Sequence, residues 1–258
     1  MGRVFCIANQ KGGVGKTTTA VSLADALAKS SAKTLLIDLD LQCNATSSLG
    51  LNPLPFSPFI SASETVSPLV GAIVPAQMPN LDVLPGSRNI ADVEVLLRTK
   101  PDAAARIHEQ IQQTISQYEF VLFDCPPSLG HLTQIALFSS TEIFIPMTCE
   151  YFPLEGLTQM TDVIKKIMEQ KPEQLEFGGV LLTMYDASLA FTHEVEQDVR
   201  KFCGEIVFKT VIPRDITISE AQSHGKPVID YAPRSRGARA YIELCMEILD
   251  HRWENVIR

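Results

Sequence analysis

The residues with the most specific chemistry form a glycine-rich stretch near the N-terminus. Positions 9–18 read Asn-Gln-Lys-Gly-Gly-Val-Gly-Lys-Thr-Thr, so three glycines fall within four positions. Glycine lets successive backbone N–H groups curl around an anion, and a helix that starts just after the loop adds the positive end of its dipole. In this pattern Lys16 reaches the terminal phosphates of a nucleotide, and the Thr17 hydroxyl ligates Mg²⁺. The stretch therefore predicts a nucleotide phosphate site.

A second lysine distinguishes this loop from the usual phosphate-binding pattern. That pattern, G-x-x-x-x-G-K-[ST], has a glycine where this chain has Gln10, and Lys11 stands inside the loop. Two lysines five positions apart would lie near the same phosphates, unless one of them reaches another molecule. The loop follows the apolar run Val4–Ala8 and precedes apolar residues at helical spacing. This context favours a strand, a loop and a helix over a solvated turn of chance composition.

Acidic residues end two other apolar segments. Asp38 and Asp40 close one of them, and Asp124 closes the segment 120–124. Ligands of open parallel sheets bind at the carboxyl ends of the strands, so these carboxylates are placed for a phosphate-bound Mg²⁺ or for the water that attacks a γ-phosphate. For Asp38 the alternative is that it only caps a turn. The stiff turn 125–130 is placed to sense whether that phosphate is present.

Composition is that of a globular protein. Of 258 residues, 45% are apolar and 20% are charged, which suits one large domain over residues 1–258. The N-terminus does not resemble a leader and no apolar run would span a bilayer, so we expect a cytoplasmic location. Six scattered cysteines without a Cys-x-x-Cys pair favour free thiols. The net charge of −8 argues against a surface coated in positive charge but allows a local basic patch.

Apolar periodicity predicts the elements that carry these residues. Strands are expected at 4–8, 33–40, 81–84, 120–124, 143–146, 179–184 and 205–211. Helices are expected after the loop, from 91, at 105–115 with Asp102 as its cap, and at 154–168, 194–202 and 241–249. Residues 52–80 are expected to form a surface excursion with short elements. Repeated β-α units predict an α/β fold, with a mostly parallel twisted sheet covered by helices on both faces.

Five stretches together resemble one family of P-loop NTPases, the ParA/Soj partition ATPases, with the MinD cell-division ATPases as close relatives. They occur in the order and at the spacing of that family and leave out mainly residues 52 to about 116. The matching stretches are 7–27, 35–51, 120–133, 149–157 and 211–241.

The resemblance implies ATP and Mg²⁺ as cofactors and a homodimer that pairs face to face across two nucleotides. Lys11 matches the signature lysine that reaches the partner's phosphates, which would explain the second lysine of the loop. Catalytic roles fall on Lys11, Lys16 and Asp40, where Asp40 orients the attacking water; Thr17, Asp40 and Asp124 are the residues at the metal. The implied nucleotide-binding residues are Lys11, Gly12, Gly13, Val14, Gly15, Lys16, Thr17 and Thr18, with Met184, Pro213, Arg214 and Asp215 at the adenine.

The family also implies nonspecific DNA binding by the ATP-bound dimer and a ParB-like partner that stimulates hydrolysis. Such a protein would associate with the nucleoid. Two departures affect the basic DNA-binding face: Thr217 stands where relatives often have arginine, and the segment 186–190 lacks an Arg-Thr pair. Leu41 and Ile135 replace a usual proline and asparagine without removing a catalytic group. Basic residues that remain are Lys165, Lys166, Lys171, Arg200, Lys201, Arg234, Arg236 and Arg239.

Three other readings remain. A MinD-like regulator at a membrane surface needs a basic amphipathic C-terminal helix, and Asp250 and Glu254 interrupt the basic face of the segment 248–258, so membrane binding is not expected. An electron donor like the nitrogenase iron protein needs two cluster-binding cysteines, and Cys125 has no evident partner. A nucleotide-gated adaptor that positions proteins without binding DNA is compatible with the charge of −8.

Overall fold

The described residues form a seven-stranded β-sheet as the middle layer of the protein. The computed structural model describes residues 2–63, 69–149, 161, 164–167, 169 and 175–250. The strands are β1 Arg3–Ile7, β2 Thr34–Asp38, β3 Val74–Pro75, β4 Leu81–Leu84, β5 Phe120–Asp124, β6 Glu142–Thr148 and β7 Glu176–Thr183. Their order is β3-β4-β2-β5-β1-β6-β7, and only the pair β3 and β4 is antiparallel. The prediction of a mostly parallel sheet is therefore confirmed.

Helices follow most of the strands. They are α1 Lys16–Lys29, α2 Asn44–Ser48, α3 Pro58–Ala62, α4 Ala91–Thr99, α5 Pro101–Ile115, α6 His131–Ser139, α7 Ala190–Cys203, α8 Ile216–Ser223, α9 Val228–Tyr231 and α10 Arg236–Asp250. Most of the predicted helix 154–168 lies outside the described residues, although Thr161 and residues 164–167 are helical. The C-terminal part of segment 248–258 and Lys171 also lie outside them. None of the helices in the described ranges is long and apolar enough to cross a membrane.

The two faces of the sheet bury two separate cores, because successive side chains of a strand point to opposite sides. In β1, Cys6 packs into one core, whereas Phe5 and Ile7 pack into the other. Helices α4, α5, α6 and α7 add apolar side chains to the first core, and α1 and α10 add theirs to the second. Strands buried on both faces have near-continuous apolar sequences, which is why β1, β2 and β5 could be predicted.

Strand register brings the predicted functional residues to one edge of the sheet. Strand β5 lies between β1 and β2, so Asp124 is opposite Ile7 on one side and opposite Asp38 on the other. The glycine-rich loop begins shortly after Ile7. The loop and both acidic strand ends therefore meet at the carboxyl edge of the parallel sheet, where ligands of such sheets bind.

The predicted strand 205–211 is wrong. Gly204–Ile206 forms a 3₁₀ turn, and Val207 makes only an isolated parallel bridge with Val180 of β7. The N–H groups of Lys209 and Thr210 donate to the Glu247 carboxylate of α10, at 2.7 and 2.9 Å, so they are not available to a continuous ladder. The apolar side chains of this segment pack into the two cores, Val207 into the first and Phe208 into the second, without extending the sheet.

Helix α5 differs from the prediction at its start. It begins at Pro101 with Lys100 as N-cap, and Asp102 lies in the first turn. Proline suits the first helical position because its fixed φ fits a helix and its missing N–H would be unpaired there. Helices α6 and α8 were not predicted, and both begin directly after segments assigned to turns or loops.

Candidate functional site

The glycine-rich loop leads directly into the N-terminus of α1. Gly13 and Gly15 have φ angles of 73° and 87°, left-handed values that favour glycine. Gly15 is the N-cap of α1 and has no side chain, so no side-chain hydrogen bond caps the first N–H groups of the helix. Uncapped N–H groups and the helix dipole make this end of α1 suited to an anion such as phosphate.

Side chains from neighbouring strands hold the loop in place. The buried Thr183 hydroxyl at the end of β7 bonds to the carbonyl oxygens of Val14 at 2.8 Å and Met147 at 3.1 Å. At the start of the loop, the Asn9 amide donates to the Pro146 carbonyl of β6 at 2.8 Å and accepts from the Lys11 N–H at 3.0 Å. These contacts fix the loop before any ligand binds, although no motif in the sequence identifies Thr183.

The two lysines of the loop occupy different environments. Lys16 is 7% exposed, and its Nζ donates to the carbonyl oxygen of Lys11 at 3.1 Å. Burial lowers the pKa of Lys16, and the carboxylates of Asp124 and Asp40 oppose that shift. Lys11, together with Gly12, lies on the exposed side of the loop. One lysine is thus enclosed within its own loop, whereas the other faces outward.

Asp124 is a buried carboxylate whose hydrogen bonding is incomplete. It is 0% exposed, and neither oxygen has a hydrogen-bond partner of normal geometry among the described residues. Burial and the neighbouring Asp38 raise the pKa of Asp124 well above its usual range, while the nearby Thr17 hydroxyl and Lys16 act in the opposite direction. A cation beside Asp124 would satisfy these oxygens, so the residues present fit Mg²⁺ at this position.

Asp38 and Asp40 differ although they are two residues apart. Asp38 accepts hydrogen bonds from the Thr46 N–H at 2.9 Å, the Thr46 hydroxyl at 2.6 Å and the Asp40 N–H at 3.2 Å. Burial raises its pKa, and these bonds limit the shift. The Asp40 carboxylate accepts only from the Gln42 N–H, at 2.9 Å, among the bonds described. Asp38 therefore supports the loop that carries Asp40, as the turn-capping alternative proposed.

A cavity of about 310 Å³ lies beside the loop, at the position expected for the adenine. It brings together the predicted residues Met184, Pro213, Arg214 and Asp215 with Gly15 and Thr18 of the loop and helix α1. Met184 has a left-handed φ of 51° at the end of β7. The lining residues that were not predicted are Thr183, Ile212, Ile216, Ile218, Ser219 and Tyr241.

Asp215 has a structural role in this cavity. Its carboxylate accepts from the Thr217 N–H at 3.0 Å, the Thr217 hydroxyl at 2.8 Å and the Gly237 N–H at 2.8 Å. Although burial disfavours its charged form, these hydrogen bonds lower the pKa of Asp215. The residue is the N-cap of α8 and joins α8 to α10. An aspartate before an apolar helical segment is a capping signal that would have predicted α8.

Basic side chains cluster around the start of α10. Arg234, Arg236 and Arg239 are exposed, and Arg236 donates to the Arg214 carbonyl at 3.4 Å. Lys165, Lys166 and Lys201 are also exposed, whereas Arg200 pairs with Glu196 at 2.8 Å. The cluster at α10 is therefore close to the cavity through Arg214, and the Arg200 side chain is engaged by Glu196.

Comparisons of sequence support a family assignment. A family model described as an AAA domain matches residues 2–177. The sporulation initiation inhibitor protein Soj of Bacillus subtilis is 40% identical over 249 residues, which cover 96% of this chain and 98% of that protein. The chromosome partitioning protein ParA of Caulobacter vibrioides is 40% identical over 250 residues, covering 96% and 94%.

Solved structures share the fold over nearly the full length. Cobyrinic acid a,c-diamide synthase from Mycobacterium smegmatis, with bound ADP and magnesium, has a TM-score of 0.83 at 30% identity and covers 98% of this chain and 96% of its own. The septum site-determining protein MinD from Pyrococcus horikoshii, complexed with Mg-ADP, has a TM-score of 0.77 at 29% identity and covers 100% of both chains. With the glycine-rich loop and the acidic strand ends assembled at one edge, this chain belongs to the ParA/Soj family of P-loop ATPases.

Proposed function

We propose that the chain, as a single domain over residues 1–258, is a switch that forms a homodimer when it binds Mg-ATP and separates after slow hydrolysis. The observation that carries this proposal is the division between the two loop lysines. Lys16 is buried beside Asp124, whereas Lys11 faces outward from the same loop. A buried lysine serves the phosphates of its own site, and an outward lysine is placed for those of a second copy.

The site residues have separate roles in this proposal. The loop from Lys11 to Thr18 holds the phosphates through its N–H groups and through Lys16, and Thr17 and Asp124 hold Mg²⁺. Mg-ATP supplies the transferable phosphoryl group when it is bound. Asp40, at the same edge of the sheet as Asp124, orients the attacking water. The catalytic contribution is therefore positioning and charge stabilisation by the side chains and amides of the loop and of the strand ends.

The purine would bind in the cavity beside the loop. Its walls combine apolar side chains such as Met184 and Pro213 with the polar atoms of Thr18 and Arg214. Small-molecule sites commonly have this composition, with a few polar groups that fix the orientation of an apolar ring. Asp215 would shape the cavity by capping α8, since its carboxylate is already engaged by Thr217 and Gly237.

The dimer is proposed to bind DNA without sequence preference, and a ParB-like protein is proposed to stimulate its ATP hydrolysis. Soj and ParA relatives of about the same length support this assignment, because ParA is named for chromosome partitioning. The exposed arginines at α10 provide phosphate-binding groups. Slow hydrolysis would set the lifetime of the dimer on DNA, and the protein would then be found on the nucleoid.

Size-exclusion chromatography with ATP and with ADP tests the central step. We expect wild-type protein to dimerise with Mg-ATP, Lys11→Ala to remain monomeric, and Asp40→Ala to stay dimeric because hydrolysis falls about 10²-fold or more. Lys100→Ala, at the N-cap of α5, is a matched control for the loss of one lysine. Dimerisation of Lys11→Ala with ATP would refute the role of Lys11 across the dimer.

A second candidate is a nucleotide-gated adaptor that positions proteins at a surface without binding DNA, as a MinD-like protein would. Two observations favour it: the net charge of −8, and the exposed apolar side chains of Ile242, Met246 and Leu249 at helical spacing on α10. A DNA mobility shift that depends on ATP supports the first function. Its absence at low salt supports the second, and co-sedimentation with liposomes then tests whether the surface is a membrane.

A further inference from the structure

Helix α6, which follows the turn 125–130, is capped by a residue of another helix. Its own N-cap is Gly130, which has no side chain. Glu94 of α4 instead accepts hydrogen bonds from the N–H groups of His131 and Leu132, each at 3.0 Å, and its carboxylate lies 3.2 Å from Nδ1 of His131. A Cβ at Gly130 would lie 2.6 Å from Glu94 Oε1, so a side chain here would displace the Glu94 carboxylate from its present position.

The turn itself is attached to the first residues of α6. The Thr133 hydroxyl donates to the Ser128 carbonyl at 2.7 Å, and the Gln134 amide donates to the Leu129 carbonyl at 3.2 Å. Within the turn, the Ser128 N–H donates to the Pro126 carbonyl at 2.8 Å. The turn and the start of α6 therefore behave as one unit, which is joined to Asp124 at one end and held by Glu94 at the other.

Glu94 belongs to an element that is itself firmly placed. Val93 and Leu97 of α4 are buried in the first core, at 0% and 5% exposure, and α4 packs against both α5 and α6. The Glu94 side chain is about one-third exposed, and its carboxylate lies at the positive end of the α6 dipole. The anchor for the turn thus comes from outside the sequence motifs that define the nucleotide site.

We propose that Glu94 is a positioning residue for ATP hydrolysis: it holds the start of α6 on α4 and so fixes the turn 125–130 beside Asp124 and the phosphate site. This inference rests on the nucleotide site of the proposed function. The alternative is that Glu94 only caps α6 and stabilises the fold, without fixing the position of the turn for hydrolysis.

Two variants separate these roles. Glu94→Ala removes the cap and the tether together. Adding Gly130→Ser restores a cap within α6 but not the tether, because the extended backbone of Gly130 (φ −66°, ψ −176°) is that of a normal N-cap and the clashing carboxylate is gone. Asp92→Ala removes an exposed carboxylate from the same helix and is the matched control.

The readouts are ATP hydrolysis, thermal unfolding and hydrogen exchange of peptide 125–132 with ADP and with a nonhydrolysable ATP analogue. For Glu94→Ala we expect kcat to fall about tenfold or more with KM within about twofold, because misplaced groups affect the reaction more than binding. Exchange at His131 and Leu132 should accelerate about fivefold, as expected for a lost cap. The double variant should regain stability but not kcat, and Glu94→Gln, which keeps one acceptor oxygen, should lie between wild type and Glu94→Ala.

Recovery of kcat together with stability in the double variant would overturn the proposal in favour of simple capping. An unchanged kcat in Glu94→Ala would also overturn it. So would hydrogen exchange of peptide 125–132 whose difference between ADP and the ATP analogue is the same in Glu94→Ala as in wild type. Failure of the proposed function is a separate result: wild-type protein would form no dimer with Mg-ATP. The exchange measurements at the turn would still test Glu94 in that case, because they need nucleotide binding but no dimer and no hydrolysis.

Discussion

At the scale of single residues, the two acidic side chains at the end of β2 are held by different hydrogen bonds. Asp38 is the last residue of β2 and Asp40 lies two positions beyond it, and the contact of Asp38 with Thr46 separates their roles. That contact depends on the short helix α2 folding back over the strand end.

Asp25 carries a prediction about pH. It is buried in α1 with one oxygen unpaired, while the other pairs with Lys29, which also pairs with Asp230. Burial raises the pKa of Asp25 to about 6, and Lys29 opposes the shift. Because the folded protein then binds a proton more tightly than the unfolded chain, this residue stabilises the fold below pH ~4, and that stabilisation is lost as the pH rises through about 6.

Urea unfolding at several pH values between 4 and 7 tests this prediction. The free energy of unfolding of wild type relative to Asp25→Asn should decrease by about 2–3 kcal/mol across that window. The comparison cancels the pH dependence of all other groups that the two proteins share. Parallel curves for the two proteins would contradict the prediction.

At the scale of elements, the local sequence pattern was sufficient to predict a strand or helix that buries one continuous apolar surface. The strands β1 and β5 were predicted because they are continuous apolar runs, and the helix α1 because its apolar residues recur at helical spacing. The segment 205–211 has the short apolar run of a strand, but two of its N–H groups bond to Glu247 of α10, 37 and 38 positions away in sequence. Helix α6 escaped prediction because its cap, Glu94, lies on another helix.

The end of β7 carries a prediction about the loop. The Thr183 hydroxyl joins Val14 of the loop to Met147 of β6. Thr183→Val keeps the shape of the side chain but removes this buried O–H donor, which costs about 1–2 kcal/mol. We expect ATP affinity, measured by titration calorimetry, to fall about fivefold or more, whereas Thr183→Ser should bind nearly as wild type. Equal affinities for the valine and serine variants would contradict this role.

At the scale of the whole molecule, the parallel sheet separates two helical faces with different surfaces. Helices α1 and α10 cover one face, where the exposed arginines lie at the start of α10, and α4 and α5 cover the other. A net charge of −8 leaves any DNA contact dependent on such a local cluster. The sequence predicted the fold class and which basic residues remain, but which of them share a surface follows only from the folded chain.

The arginine cluster predicts how DNA binding depends on salt. If Arg234 and Arg239 each neutralise one phosphate, the double variant Arg234→Ala/Arg239→Ala should bind DNA more weakly with ATP, and the slope of log affinity against log salt should decrease by about 1.8. Fluorescence anisotropy with a short duplex over a range of salt concentrations measures both. Arg98→Ala/Lys100→Ala removes two positive charges from the opposite helical layer and should leave the slope unchanged. An unchanged slope in the first variant would exclude this cluster from the DNA contact.

The hydrogen bond between Lys16 and the carbonyl of Lys11 has a consequence for the order of events. While this bond lasts, Lys16, which serves the protein's own site, restrains the backbone of Lys11, which is proposed to serve the partner's site. The phosphates of a bound nucleoside triphosphate draw Lys16 away from the Lys11 carbonyl and so end that restraint. A nucleotide with fewer phosphates leaves the bond in place. We therefore expect loading of a nucleoside triphosphate to precede pairing of two subunits, so that empty subunits do not compete for partners.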